Sequence, residues 1–114
     1  MKILVLKSKI HRAKVTAKNI NYSGSITLDT ELIEKAGLIE FEKVEIYNIS
    51  NGERFSTYVI KGSREKREVI LNGAAARKVE VGDPLIIVSY AIVDEKEDFK
   101  PKIVVLDEEN KIVD

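Results

Sequence analysis

The chain has few of the residues on which most catalytic sites and covalent supports depend. Its 114 residues include no cysteine, no tryptophan and a single histidine, His11. The absence of cysteine excludes disulfides, thiolate catalysis and cysteine-based metal sites, and one imidazole cannot form a histidine-rich site. We therefore expect no metal ion. A serine hydrolase also lacks a credible base, and no Gly-x-Ser-x-Gly motif is present.

Net charge and long apolar runs are missing as well. Lysine plus arginine number 19 and aspartate plus glutamate number 19, which leaves no net charge to attract nucleic acid or an anionic membrane. No apolar run approaches the roughly 20 residues of a membrane-spanning helix. The apolar start, Met1–Val5, meets a charge at Lys7 too early for a signal peptide. We expect a cytoplasmic protein with neither a nucleic-acid partner nor a membrane partner.

The apolar pattern predicts a mainly β protein in a single domain, residues 1–114. An apolar fraction of 44% is ordinary for a folded domain of this length. Alternating or continuous apolar positions predict seven strands. They are Lys2–Thr16, Ile26–Leu28, Val44–Ile49, Arg54–Ile60, Glu68–Leu71, Leu85–Val93 and Ile103–Leu106.

Capping residues and turn residues supply the remaining elements. A short helix is predicted over Glu31–Ala36, capped by Asp29 or Thr30 and ended by Gly37, and a single helical turn over Ala74–Lys78.

Asn51-Gly52 predicts a type I′ hairpin turn, which needs positive φ at both positions. The order strand, short helix, corner, strand occurs twice, starting at Ile26 and at Val69. This repeat indicates a closed barrel of six or seven strands, the alternative being two unrelated β-α-β stretches.

A glycine followed by a serine, Gly24-Ser25, offers chemistry that needs no neighbouring base. The Ser25 hydroxyl can attack the carbonyl of Gly24 and convert the peptide bond into an ester. Loss of the Ser25 α-proton then releases the carboxylate of Gly24, and hydrolysis of the resulting dehydroalanine gives a pyruvoyl group and ammonia. Glycine at position 24 permits unusual backbone angles and leaves room for the attack. The same dipeptide occurs at Gly62-Ser63, so the pair alone is not specific.

Five segments of the chain, read together, distinguish Gly24-Ser25 from Gly62-Ser63. They are Lys9–Thr16, Asn21–Ser25, Tyr47–Tyr58, Asn72–Ala76 and Val81–Asp83. Together they resemble the aspartate 1-decarboxylase family over essentially the whole chain, with a poor match after about Asp94. The resemblance implies a small closed double-psi β-barrel with short helices that assembles as a homotetramer. It also implies self-cleavage of a zymogen between Gly24 and Ser25 into a short β chain and a longer α chain.

The activity that the resemblance implies is conversion of L-aspartate to β-alanine and CO₂ for pantothenate biosynthesis. The cofactor would be the pyruvoyl group on Ser25, which would form a Schiff base with the substrate amine without pyridoxal phosphate or a metal. Tyr58 would be the proton donor, and Thr57 would take part in the cleavage. Substrate contacts are implied for Lys9, Tyr47, Arg54, Asn72, Gly73, Ala74 and Ala75.

The chemistry of Arg54 and the alternation along its strand give independent arguments for two of these implied roles. The planar fork of Arg54 can bind a carboxylate in a bidentate manner. Strict alternation places Arg54 and Tyr58 on one face of a strand and Thr57 on the other, so Thr57 would need a twist, a bulge or a neighbouring subunit to reach the cleavage site. Tyr47 stands where many family members carry tryptophan and keeps an aromatic wall.

Other functions are open at this point. The chain could be a non-catalytic β-barrel that binds a ligand or partner, with Gly24-Ser25 as a turn. A transcription factor of the related swapped-hairpin type is disfavoured by the neutral charge, because phosphate neutralisation needs clustered cations. Glutamate remains a possible substrate beside aspartate, since one methylene discriminates by about 1–3 kcal/mol. The need for a helper protein in maturation is also open.

Overall fold

The strands form one mixed sheet that includes both ends of the chain. The computed structural model describes all 114 residues. The eight strands are ordered β2-β6-β3-β5-β4-β7-β1-β8. The elements, in chain order, are β1 (Lys2–Lys14), β2 (Ala17–Asn19), β3 (Ser25–Leu28), α1 (Thr30–Ala36), β4 (Lys43–Asn48), β5 (Arg54–Lys61), β6 (Val69–Asn72), a 3₁₀ helix (Gly73–Lys78), β7 (Pro84–Asp94) and β8 (Lys102–Val105). The mainly β class is confirmed.

A bend between β1 and β2 connects distant positions of this sheet. β1 lies between β7 and β8, whereas β2 is the edge strand beside β6. Only Val15 and Thr16 separate them, and their N–H groups donate to the carbonyls of Asp83 and Val69 at 3.0 and 2.8 Å. The strand predicted over Lys2–Thr16 is β1, which ends two residues earlier, and the short strand β2 was not predicted. No strand pairing joins β2 to β8, so closure of the barrel stays a prediction.

The hydrophobic core lies on one face of the sheet. The strand positions that it occupies determine which side chains lie on the opposite face. Ile10, Ile87, Ile46 and Phe55 are consecutive cross-strand partners through β1, β7, β4 and β5. The three isoleucines are at most 1% exposed, and burial of such a side chain contributes roughly 1.5–3 kcal/mol. Because side chains alternate along a strand, the residues that flank this row, such as Lys9, Tyr47 and Arg54, lie on the opposite face of the sheet. The outer face therefore carries the polar side chains described below.

The first helix follows its sequence signals. Asp29 is the N-cap, and its carboxylate accepts the N–H of Glu31 at 2.8 Å, which selects Asp29 over Thr30. Gly37 ends the helix with φ of 71°, a conformation that glycine adopts at low cost. Neither this helix nor the 3₁₀ helix is long and apolar enough to cross a bilayer.

The β4–β5 connection corrects one prediction. Gly52 has φ of 75°, but Asn51 is not among the residues with positive φ, so a type I′ turn at this pair is wrong. The side chains explain the difference. Asn48 and Asn51 accept the N–H groups of Ser50 and Glu53, both at 2.9 Å, and these contacts favour a longer loop over residues 49–53.

The corner before β7 depends on one carboxylate. The side-chain amide of Asn48 and the N–H of Glu80 both donate to Oδ2 of Asp83 at 2.9 Å. Burial alone would raise the pKa of Asp83, but these hydrogen bonds outweigh it and the pKa is lowered. A lowered pKa stabilises the fold above the ordinary value of 3.8, and this stabilisation is lost as pH falls through the lower folded value.

Replacement of Asp83 by asparagine is therefore expected to be pH-dependent in its effect. Asp83→Asn should lower the unfolding midpoint in urea clearly at pH 7 and much less at pH 3, where the wild type has begun to lose the same charge. Asp98→Asn, at an exposed position, is the control and should change neither midpoint. An equal loss at both pH values would contradict the role of the charge.

Candidate active site

Ser25 begins β3 in a buried position beside Asn72. The two residues are cross-strand partners in the antiparallel β3–β6 pair, and Ser25 is 1% exposed. The amide nitrogen of Asn72 donates to Ser25 Oγ at 2.9 Å and to Thr27 Oγ1 at 3.0 Å. Both N–H bonds of Asn72 thus hold hydroxyls of β3. Thr27 is a site residue that the sequence analysis missed, although the two-residue period from Ser25 indicates the shared face.

The Ser25 hydroxyl has no side-chain base. Its contacts are the donated hydrogen bond from Asn72 and a long approach, 3.5 Å, to the carbonyl oxygen of Ser23. This arrangement does not support a serine hydrolase, because a hydrolase needs a base that accepts the hydroxyl proton. No cluster of three or more histidine, aspartate and glutamate side chains is placed to hold a metal ion.

Gly24 and Gly73 meet backbone to backbone next to this serine. Gly24 does not have positive φ, and a Cβ added to it would meet only the backbone oxygen of Asn72, at 4.0 Å. The expected unusual backbone angle is therefore not found in φ at Gly24. The glycine with positive φ here is Gly73, the first residue of the 3₁₀ helix, with φ of 66°.

A cavity opens at Gly24, next to Ser25 in the chain. Its volume is about 330 Å³, and its lining residues are Gly24, Phe55, Ser56, Thr57, Tyr58, Ala74, Ala75 and Lys78. Five of these lining residues were predicted as site residues from the sequence: Gly24, Thr57, Tyr58, Ala74 and Ala75. Small-ligand pockets begin at about this size, so the cavity can accept an amino acid.

The parallel pairing of β3 with β5 explains why Thr57 and Tyr58 reach the cavity. Ile26 pairs with Val59, and the same register continued toward the N-terminus sets Ser25 beside Tyr58 and Gly24 beside Thr57. Tyr58 is 37% exposed, whereas Thr57 is half-buried and faces the opposite way. β5 pairs with β4 in a regular register over Arg54–Tyr58, and Thr57 and Gly24 line the same cavity within one chain.

A second cluster lies on the outer face around Tyr47 and Arg54. The two residues are cross-strand partners, and the Arg54 guanidinium carbon lies 3.8 Å from the centre of the Tyr47 ring. The hydroxyls of Tyr47 and Tyr90 are 3.0 Å apart. This hydrogen bond is the main cause that raises the pKa of Tyr90, and burial adds to it. Arg54 is stacked on the Tyr47 ring as a cation–π pair, and the expected role of Tyr47 as an aromatic wall of the substrate site stays a prediction.

Lys9 belongs to the same outer face, on β1. It pairs with Val88, which pairs in turn with Glu45 of β4. Neither Lys9 nor Arg54 forms an ion pair with a carboxylate. Two cations without counter-ions on one face offer binding positions for a carboxylate ligand.

The cationic side chains of this face lie outside the cavity at Gly24 within one chain. Arg54 precedes Tyr58 by four residues on β5, which separates their Cα atoms by about 13 Å at roughly 3.3 Å per residue. Lys9, Tyr47 and Arg54 do not line the cavity at Gly24. The predicted site is therefore present as two groups of residues, one around Ser25 and one around Arg54.

The structure is that of a small β-sheet protein with a cavity of small-ligand size at Gly24, and comparisons with known proteins identify it as a member of an enzyme family. The model of the family described as aspartate decarboxylase matches residues 1–113. An aspartate 1-decarboxylase from Campylobacter hominis is 60% identical over 116 residues, which cover 100% of this chain and 100% of the relative. The enzyme of that name from Caldicellulosiruptor saccharolyticus is 59% identical over 115 residues, covering 99% of this chain and 90% of the relative.

A third relative, the aspartate 1-decarboxylase of Wolinella succinogenes, is 59% identical over 115 residues, covering 99% and 95%. The chain belongs to the aspartate decarboxylase family. The match corrects one expectation, because it continues past Asp94 to residue 113. The physical reason is that β8 pairs in parallel with β1 and is part of the sheet.

Proposed function

We propose that this chain is a self-processing, pyruvoyl-dependent decarboxylase that converts L-aspartate to β-alanine and CO₂ for pantothenate biosynthesis. The observation that carries the proposal is the buried Ser25 hydroxyl. It is held by Asn72 at 2.9 Å, lies next to a cavity and has no base that would suit an ordinary nucleophile. A serine in this setting fits attack on its own preceding peptide bond.

The cleavage uses only the chain and one water molecule. Ser25 Oγ bonds to the carbonyl carbon of Gly24, the Gly24–Ser25 C–N bond breaks, and the hydroxyl proton passes to the released nitrogen. Loss of the Ser25 α-proton then breaks the Cβ–Oγ bond, which leaves the carboxylate on Gly24 and a dehydroalanine at residue 25. Water converts that group to the ketone and ammonia. Thr57 is our candidate donor to the oxyanion, a contribution of about 3–4 kcal/mol in other enzymes.

The residues around position 25 fit the group that would be made there. When the Ser25 oxygen leaves with Gly24, Asn72 loses one acceptor, and that N–H becomes available to an oxygen of the substrate or of residue 25. The pyruvoyl group would supply an electrophilic carbonyl that condenses with the substrate amine and accepts the electron pair released with CO₂. Tyr58, beside Ser25 in the register, would return a proton to the substrate carbon. The small side chains of Ala74 and Ala75 leave space in the cavity for the substrate.

The Arg54 group completes this site most simply from a second copy of the chain. Lys9, Tyr47 and Arg54 do not line the cavity at Gly24, and they lie on an outer face that a neighbouring copy can present. This separation supports the proposed homotetramer with sites between subunits. The proposed location is the cytoplasm.

Mass spectrometry of the denatured protein tests the proposal. It should show two fragments, Met1–Gly24 and residues 25–114, the second with a terminal ketone that reacts with borohydride or hydrazine. Incubation with L-aspartate should release β-alanine and CO₂, and glutamate in place of aspartate measures the discrimination. An intact chain without a ketone after prolonged heating, together with no CO₂, would rule the proposal out. A non-catalytic barrel would then be the better reading, and titration with duplex DNA at low salt would test the transcription factor.

Replacement of Arg54 by lysine should separate substrate binding from cleavage. Arg54→Lys keeps the charge but loses the bidentate fork, which is worth about 1.5–3 kcal/mol for a charged hydrogen-bonded pair, so kcat/KM should fall by about 10- to 100-fold. Cleavage should proceed as in the wild type. Arg64→Lys is the matched control, because Arg64 pairs with Glu34 on the exposed surface. An unchanged kcat/KM in Arg54→Lys would contradict the role of Arg54.

A further inference from the structure

Gly73 has no room for a side chain, and the atoms in the way belong to the scissile segment. An ideal Cβ on Gly73 would lie 2.7 Å from both the Cα and the N of Gly24 and 2.8 Å from the carbonyl oxygen of Tyr22. Real Cβ atoms essentially never approach other heavy atoms closer than 3.0 Å. All three neighbours are main-chain atoms, so no side-chain rotation can relieve the overlap.

The other glycines with positive φ differ from Gly73 in this respect. A Cβ on Gly52 or on Gly82 would meet nothing within 4 Å, although their φ values are 75° and 97°. On Gly37 it would meet the flexible side chain of Lys102. Gly73 is therefore the glycine at which positive φ and close backbone packing occur together.

Residues 72 and 73 contact both sides of the Gly24–Ser25 bond. Asn72 donates to the attacking atom, Ser25 Oγ, at 2.9 Å. Gly73 packs against the N and Cα of Gly24, whose carbonyl carbon is the atom attacked. Asn72 thus holds the attacking hydroxyl of Ser25, and Gly73 holds the backbone of Gly24. Both are adjacent residues at the end of β6.

We propose that Gly73 is a positioning residue for self-cleavage. Its bare Cα is the surface on which Gly24 rests, and this contact fixes the carbonyl of Gly24 relative to Ser25 Oγ. The inference rests on the proposed self-cleavage and is separate from the substrate contact that the family resemblance implies for Gly73. A Cβ at this position would push Gly24 away by about half an ångström or more, and a misplacement of about 1 Å can cost 100-fold in an oriented reaction.

The test compares Gly73→Ala with Gly52→Ala and Gly82→Ala. The two controls introduce alanine at positive φ in open space, so they carry the same backbone strain without the contact. Cleaved and uncleaved chains are quantified over time by denaturing mass spectrometry, and circular dichroism melting reports folding. We expect Gly52→Ala and Gly82→Ala to cleave at the wild-type rate and Gly73→Ala to fold but cleave at least 10-fold more slowly.

Each other outcome decides against the inference. Cleavage of Gly73→Ala at the rate of the controls would show that the contact does not position Gly24. Failure of Gly73→Ala and of Gly73→Asn to fold, with both controls folded, would show that the contact serves the fold. Asparagine is included because it tolerates positive φ better than alanine. An uncleaved wild type would contradict the proposed function itself, whereas a cleaved wild type with a normally cleaving Gly73→Ala contradicts only the role of Gly73.

Discussion

Ser25→Ala is expected to leave the chain intact and to abolish decarboxylation completely. The substitution removes the hydroxyl that attacks the Gly24 carbonyl in the proposed reaction, so neither the two fragments nor the ketone should form. The fold should survive with a modest loss, because the Asn72 amide loses one of its two acceptors and an unsatisfied buried donor costs about 1–3 kcal/mol. Denaturing mass spectrometry and a CO₂-release assay measure the two effects.

The chain contains a matched control for this variant. Ser63 also follows a glycine, Gly62, but it is exposed and lies outside the cavity at Gly24. Ser63→Ala should therefore be cleaved and fully active. A Ser25→Ala protein that still yields a fragment ending at Gly24 would mean that the bond is cut by other chemistry, such as a contaminating protease.

Tyr58→Phe should separate cleavage from catalysis. The substitution removes one hydroxyl and keeps the ring, including its contact with Phe41 at a centroid distance of 6.4 Å. Fragments and ketone should form as in the wild type. Decarboxylation should slow by about 100- to 10,000-fold, the usual contribution of a positioned acid, because the substrate carbon loses its proton source.

Single-turnover measurement of CO₂ and of β-alanine checks this expectation. If Tyr58 only donates the proton, CO₂ release in the first turnover should persist while β-alanine formation falls. Ser63→Ala is the control, since it removes an exposed hydroxyl that lies outside the cavity. A Tyr58→Phe enzyme with normal turnover would assign the proton to another group.

Local patterns were sufficient for most of the strands and for the first helix. The alternation in β4 and β5, the cap at Asp29 and the stop at Gly37 each follow from a few neighbouring residues, and all appear in the structure. The turn at Asn51 was predicted wrongly for a local reason, because the side chains of Asn48 and Asn51 compete for the backbone N–H groups.

Contacts between distant segments were beyond such patterns. Nothing near Gly73 indicates that its Cα packs on Gly24, because the contact depends on how β6 lies beside β3. The parallel pairing of β3 with β5, which sets Thr57 and Tyr58 at the cavity, depends on the whole sheet order in the same way. The distance between Arg54 and Tyr58 could be anticipated along β5, but the absence of Arg54 from the cavity lining needed the structure.

The position of β1 inside the sheet has a consequence for the cleaved protein. Met1–Gly24 would contain β1, which pairs with both β7 and β8, and β2, which pairs with β6. The fragment would stay bound by these pairings without a covalent link. Unfolding would then release two separate polypeptides, and recovery would require a second-order encounter that depends on concentration. The long-term durability of the mature enzyme would therefore be governed by how slowly the strands dissociate, and the intact precursor would be the form that folds on its own.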